Sequence, residues 1–281
     1  MMANNMPHQI INLLKKELTQ YQNRAIAVSG GIDSLTLATL SSHVSHSSCE
    51  IFHAVSPAVP PEATNRVRAL AKKMGWNLKV IDAREFEDER YLANPINRCF
   101  YCKDALYNAI STIAKQTSSQ IMSGTNIDDL AEYRPGINAA NRLGVIHPFA
   151  KLGINKLSIR TMAHALGLGD LANLPSSPCL SSRIETGIPI RSETLALVHS
   201  IESLVTVVLK PLIVRCRIRP SLVVIELDQR CYQELKNKNS LQENLTNQIQ
   251  QLLDQVNFQQ AINFALYLTG SAFIGNKIAS A

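Results

Sequence analysis

Three short stretches of this sequence set chemically capable side chains close together. In Ser29-Gly30-Gly31-Ile32-Asp33-Ser34, two glycines let the backbone approach an anion, with two hydroxyls and a carboxylate beside them. Ala25-Ile26-Ala27-Val28 reads as a buried parallel strand before it, and Leu35-Thr36-Leu37-Ala38-Thr39-Leu40 as a helix after it. A strand-to-helix turn of this kind aims unpaired N–H groups and the positive end of a helix dipole at a phosphate. Asp33 suits the magnesium that accompanies a nucleotide. The Gly-Lys-Ser/Thr ending of a Walker A loop is missing, so the whole hexapeptide in its context carries the reading, not the glycine pair.

The second stretch is Arg98-Cys99-Phe100-Tyr101-Cys102-Lys103, followed by Ala105, Leu106 and Ile110 at helical spacing. Both thiols fall at or just inside a helix start, where the dipole, Arg98 and Lys103 favour thiolates. Spacing alone leaves redox, metal-binding and incidental roles open. The third stretch is Cys179-Leu180-Ser181-Ser182-Arg183, inside an irregular, proline-bearing segment from Asp170 to Pro189. Its length points to a functional loop, and Arg183 favours ionisation of Cys179, although a half-buried structural cysteine reads the same. Gly124-Thr125-Asn126-Ile127-Asp128-Asp129 leaves the strand Gln120–Ser123, and Tyr133-Arg134-Pro135-Gly136 continues it. Asp128 and Asp129 read as magnesium ligands or as a solvated turn, and Arg134 as a two-pronged clamp for phosphate or carboxylate. His43, His46, Cys49 and His53 match no closed zinc site and read as structural.

These residues need a scaffold, and the chain supplies alternating elements. An amphipathic helix over Ile10–Leu18 leads into the first strand. Cys49–Val55 and Leu78–Ile81 are further strands, separated by a helix that opens at Pro60-Pro61-Glu62 and closes at Gly75. The β-α-β-α-β order predicts an α/β fold with a doubly wound parallel sheet and ligands at the carboxyl ends of its strands. Asp82–Asn97 reads as charged loop, His147-Pro148-Phe149 as a last short strand, and Ile154–Leu166 as a helix. A smaller α+β domain follows, the boundary placed between residues 188 and 189. It has a helix over Ser192–Leu209, a hairpin of Val214–Arg219 and Leu222–Leu227, a helix over Leu241–Val256 and a strand over Ala261–Leu266. Arg215, Arg217 and Arg219 share one strand face, as an anion-binding surface or a solvated edge.

Length and composition narrow the function. The 281 residues allow a nucleotide-binding domain plus a smaller one, and 46% hydrophobic content supports a globular core. A formal charge of +6 fits an anionic small molecule and does not demand nucleic acid. No run reads as a membrane span or signal peptide, which gives the expectation of a soluble cytoplasmic protein. Six cysteines in that setting are core residues, metal ligands or reactive thiols, not a disulfide framework.

Ser29–Ser34 resembles the SGGxDS signature of the PP-loop ATP pyrophosphatases, in which this loop grips the departing pyrophosphate. Four pieces in order resemble one branch, the ATP-dependent sulfur transferases of the LarE family, which help build the nickel-pincer nucleotide cofactor. They are Ser29–Ser34, Asn94-Pro95 with Arg98–Lys103, Gly124–Asp129 with Tyr133–Gly136, and Cys179–Arg183. The resemblance implies adenylylation of a carboxylate of a pyridinium dicarboxylate mononucleotide, release of pyrophosphate, and replacement of the activated oxygen by sulfur. On this reading ATP is expected at Ser29, Gly30, Gly31, Asp33, Ser34, Gly124, Arg134 and Arg183, magnesium at Asp33 with Asp128 or Asp129, and the acceptor's phosphate at Arg215 and Arg217. Cys99, Cys102 and Cys179 match the members thought to hold a 4Fe-4S cluster, three thiolates leaving one iron open for a sulfide. In other members the residue at Cys179 is itself the sulfur source. Expected partners are the small nucleotide substrate, a second copy of the chain, and sulfur-donor or cofactor-pathway proteins, with no membrane. Departures from the family pattern are Ile184-Glu185-Thr186-Gly187, Leu171–Pro175, and Arg219-Pro220 with Val223–Glu226. A tRNA thiolase and a nucleotide-binding regulatory protein without catalysis are the competing readings.

Overall fold

The computed structural model describes residues 6–45, 48–131, 134–268, 270 and 271. His46 and Tyr133 lie outside them. The chain divides into two compact units, one of residues up to Asp88 with Asn97–Ser177, the other of Glu89–Ile96 with residues from Pro178 onward. The division thus falls after Ser177, ahead of the boundary expected at residue 188. It also gives Glu89–Ile96 to the second unit.

The first unit begins with α1 (Met6–Leu18), β1 (Asn23–Ala27), α2 (Ile32–Ser42), β2 (Ser48–Ala54), α3 (Pro61–Met74) and β3 (Asn77–Ile81). Gly75 closes α3 in the left-handed conformation at φ 65°, as its type and position predicted. A short α4 (Glu89–Leu92) belongs to the second unit; it lies in the segment expected to be loop. The first unit resumes with α5 (Arg98–Ala114), β4 (Gln120–Ser123), α6 (Ile127–Leu130), α7 (Pro135–Arg142), α8 (Pro148–Lys151) and α9 (Lys156–Ala165). Its four strands are all parallel in the order β3-β2-β1-β4. Strand order therefore reverses between β1 and β4, which opens a crevice at their carboxyl ends.

Both faces of this sheet are covered. Leu14, Leu18, Leu35, Leu37 and Leu40 are fully buried in one core, each contributing about 1.5–3 kcal/mol by leaving water. Tyr107, Ile110 and Ala114 of α5 form the other with Ala25, Phe52 and Ile121. The strand expected at His147–Phe149 is not formed. Ile146 makes a single bridge to Met122, and Pro148 then opens α8, since proline lacks a ladder N–H but is preset for a first helical turn.

The second unit adds α10 (Ser192–Leu209), β5 (Val214–Ile218), β6 (Leu222–Leu227), α11 (Gln229–Asn237), α12 (Asn239–Gln255) and β7 (Ala261–Leu266). β5 and β6 form the expected hairpin, and β7 joins β6 in parallel. Sequence periodicity missed α11, which Asp228 caps by accepting the Cys231 N–H at 3.1 Å. By length and composition α10 qualifies as a bilayer-crossing helix, contrary to expectation. In the fold, its Leu195, Val198, Ile201 and Val205 are fully buried and its Glu202 pairs with Arg183.

Candidate active site

The Ser29–Ser34 turn is shaped by its own polar groups. Ser29 N–H donates to Ser34 Oγ at 3.1 Å, Ser34 Oγ donates to Gly31 O at 3.0 Å, and the hydroxyls lie 3.3 Å apart. Gly30 has φ +83°, and a Cβ there would fall 2.9 Å from Ala63 O in α3, so conformation and space both require glycine. Gly31 caps α2 without a side-chain acceptor of its own, and its N–H donates to Ser29 Oγ at 3.4 Å.

Gly124 fixes where the second loop runs. A Cβ on it would lie 2.7 Å from the Ser34 nitrogen and 2.8 Å from the Asp33 carbonyl carbon, so β4 ends in backbone contact with the turn. That is the crevice at which the strand order reverses. Asn126 then caps α6, accepting from Asp128 N–H at 2.9 Å, while Asp129 Oδ2 accepts from Asn126 N–H at 3.0 Å. Asp129 pairs with Arg134 at 2.8 Å, and Asp128 accepts the Lys156 backbone N–H at 2.8 Å.

Lys156 is the residue that sequence reading missed. Its Nζ lies 2.6 Å from both oxygens of Asp33. Burial pushes the Asp33 carboxyl above its ordinary value, and the hydrogen bond and charge of Lys156 oppose that rise. A signal existed: Lys156 is the first residue of α9, where the helix dipole disfavours a cation unless a carboxylate faces it. One turn on, Arg160 donates to Ala172 O at 2.6 Å and Leu174 O at 2.8 Å, pinning the chain that follows α9.

The thiol-bearing turn of α5 belongs to the same run of contacts. Cys99 and Cys102 are three residues apart in the first turn and share a face. A Cβ on Gly136 would meet Lys103 Cγ at 2.8 Å and Cys99 O at 3.3 Å, so the Arg134-Pro135-Gly136 stretch sits on this turn. Arg142 binds it further, pairing with Asp104 and lying 5.7 Å over the Phe100 ring. The Ser29–Ser34 turn, the Gly124 loop, Arg134 and the Cys99–Cys102 turn thus form one contiguous run of contacts.

Cys179 lies in the second unit, ahead of a 3-10 turn over Leu180–Arg183. Arg183, expected to meet a phosphate, is instead the clasp of its own loop. It is buried, donates from Nε and Nη2 to Glu202 at 2.9 and 3.0 Å, and donates from Nη1 to Pro178 O at 2.6 Å and Cys179 O at 3.1 Å. Arg217 is buried too, bonded to Glu226 at 2.9 Å and Ser182 O at 2.8 Å. Arg219 pairs with Glu185 at 2.7 Å. Tyr91 and Ser181 share a 2.6 Å hydroxyl contact, and Asn94 donates to Glu185 O and Ile188 O at 2.8 Å. These bonds explain why Glu89–Ile96 joins this unit. Arg215 is half-buried, its guanidinium 5.9 Å from the Tyr267 ring. Burial, then the charge of Arg183, holds it below the ordinary arginine range.

The thiols sort themselves by environment. Burial pushes Cys49 up to about 11, Cys216 well above its ordinary value, and Cys231 upward, so these three stay protonated. Cys99, Cys102 and Cys179 are half-buried, and no disulfide involves any of the six, all of which are described. Their donor chemistry fits an iron–sulfur cluster's three thiolates. For magnesium, which takes one or two carboxylates plus phosphate oxygens, Asp33 fits once Lys156 yields its place. Asp128 and Asp129 are already engaged as described. Within neither unit do three or more described His, Cys, Asp or Glu side chains gather as a ready metal site.

No family model matches the chain. It is 36% identical over 183 residues to the uncharacterized protein slr1717 of Synechocystis sp., covering 65% of this chain and 68% of that one. The uncharacterized protein MJ0830 of Methanocaldococcus jannaschii is 30% identical over 237 residues, 83% of this chain and 89% of its own. The pyridinium-3,5-bisthiocarboxylic acid mononucleotide synthase of Lactiplantibacillus plantarum is 26% identical over 214 residues, 75% and 77% of the two chains.

Proposed function

From the premise that this chain belongs to the family of the Synechocystis and Methanocaldococcus proteins, with relatives in the PP-loop superfamily, we propose that it is an ATP-dependent sulfur transferase. The acceptor is a carboxylate, and we take it to be that of a pyridinium-3,5-biscarboxylic acid mononucleotide. The observation that carries the reading is the backbone contact between Gly124 and Asp33-Ser34, continuous through Asp129, Arg134 and Gly136 with the Cys99–Cys102 turn.

In this mechanism the N–H groups of the Ser29–Ser34 turn hold the β- and γ-phosphates, and Asp33 exchanges Lys156 for the magnesium that arrives with them. An acceptor carboxylate oxygen attacks the α-phosphorus, the bond to the pyrophosphate oxygen breaks, and an acyl adenylate forms. Lys156, freed from Asp33, and Arg134 balance the charge shed onto pyrophosphate. Sulfur at the sulfide level then attacks the acyl carbon, the bond from that carbon to the AMP oxygen breaks, and AMP leaves with the thiocarboxylate formed. Cys99, Cys102 and Cys179 handle that sulfur; with a 4Fe-4S cluster bound, they would ligate three irons and the fourth would carry a sulfide. Arg215, half-buried with the charge of Arg183 near it, binds the acceptor's phosphate, while Arg217 orders the Cys179 loop through its bond to Ser182 O. We place this chemistry in the cytoplasm, where thiols stay reduced.

The test is product analysis with magnesium ATP and the biscarboxylate nucleotide under anaerobic conditions. Cys179→Ala should abolish sulfur transfer and leave ATP binding intact; undiminished transfer removes Cys179 from the mechanism.

A further inference from the structure

Beside the phosphate turn stands a cation that the mechanism above does not use. Arg66 lies one turn and a half into α3, the helix whose Ala63 carbonyl abuts Gly30. Its Nε donates to Gly30 O at 2.8 Å, so its guanidinium plane is anchored on the turn itself. Among the described residues, both Nη groups are left without a hydrogen-bond partner, and Arg66 is in no ion pair. Lys156, the other cation placed against the turn, is neutralised by Asp33. The turn's hydroxyls are engaged with one another and with Gly31 O. Among the described residues, Arg66 is therefore a cation set against this turn that no carboxylate hydrogen-bonds. Burial lowers its pKa from the ordinary arginine range, opposed by Glu62 one turn earlier, as expected of a half-buried cation awaiting an anion.

We propose that Arg66 is a phosphate-binding residue, its Nη edge taking the β- and γ-phosphates and then the pyrophosphate they become. A guanidinium presents paired N–H donors that match two oxygens of one phosphate, and these charge-assisted bonds add to the backbone N–H groups of the turn. The Nε bond gives the same side chain a second effect. It sets the left-handed Gly30 peptide, so anion capture and loop shape are held by one group. The inference rests on the nucleotide reading of this turn and adds a ligand to it.

Calorimetry separates the two effects. In Arg66→Gln the amide nitrogen falls where Nε stood, so it retains the bond to Gly30 O and removes the fork. Magnesium pyrophosphate should bind Arg66→Gln about 10- to 100-fold more weakly than wild type, the effect of losing hydrogen bonds to a charged group. AMP, which lacks the β- and γ-phosphates, should bind unchanged, and the exposed neighbour variant Arg68→Ala should match wild type with both probes. If Arg66→Gln binds pyrophosphate like wild type, or weakens AMP equally, the proposal fails while the nucleotide site stands. A wild-type protein that binds neither probe overturns both.

Discussion

Around Ser29–Ser34 the charged groups have one partner or an open edge, whereas around Cys179 Arg183 and Arg217 are matched and buried. Asp33 is held by a single lysine that a metal can displace, and Arg66 touches the turn through Nε alone. Arg183, Arg217 and Arg219 are paired with Glu202, Glu226 and Glu185 inside their unit. The first arrangement suits partners that come and go with each turnover. The second suits one fixed geometry, since Arg183 holds the carbonyls of Pro178 and Cys179 in place.

If that contrast is right, the two regions respond differently to substitution. Arg183→Ala should have the largest effect on stability, about 3–5 kcal/mol in urea denaturation, because Glu202 is left buried without its cation. Arg183→Lys should recover only part, lacking the fork. Gly124→Ala should cost less, about 1–3 kcal/mol of strain, since its Cβ meets the Ser34 backbone. Calorimetry on that variant should show magnesium ATP binding lost well beyond the stability change.

Lys156→Ala should leave stability within about 1 kcal/mol of wild type, the pair being partly exposed. Its mark is in the pH profile. Lys156 holds the Asp33 pKa down against burial, so without it Asp33 protonates at higher pH, and the acid limb of magnesium ATP turnover should move upward. The smallest effect concerns His53, bonded to Val28 O at 3.0 Å and Thr64 Oγ1 at 2.9 Å beneath the phosphate turn. Burial lowers its pKa from 6.5, so between that value and its folded one the unfolded chain binds more protons. Its contribution is present above that window and lost as pH falls through it. Thermal melts should show this loss, and His53→Gln should flatten it.

Much of the first region was legible in the sequence because its signals are local. Glycines, a strand before and a helix after specify a tight strand-to-helix turn, and the periodicity of α1, α2 and α3 placed it correctly in a parallel sheet. The Cys179 region was not legible in the same way. Its order comes from Tyr91, Asn94, Glu202 and Arg217, which no spacing rule connects to residue 179. Arg183 looked like a ligand for phosphate because an arginine beside a thiol carries no sign of the glutamate that will meet it. Lys156 and Arg66 were missed for a related reason: helical spacing explained both residues before the turn they flank was in view.

In the proposed reaction, the Ser29–Ser34 turn binds the ATP that activates an acceptor, and Cys179 helps deliver sulfur to it. The most direct test follows radiolabelled ATP and the biscarboxylate nucleotide through wild type and Cys179→Ala, measuring pyrophosphate and thiocarboxylate together. Wild type should form both products, and Cys179→Ala should release pyrophosphate without thiolating the acceptor. Equal thiocarboxylate from the two proteins, or pyrophosphate from neither, would contradict the account.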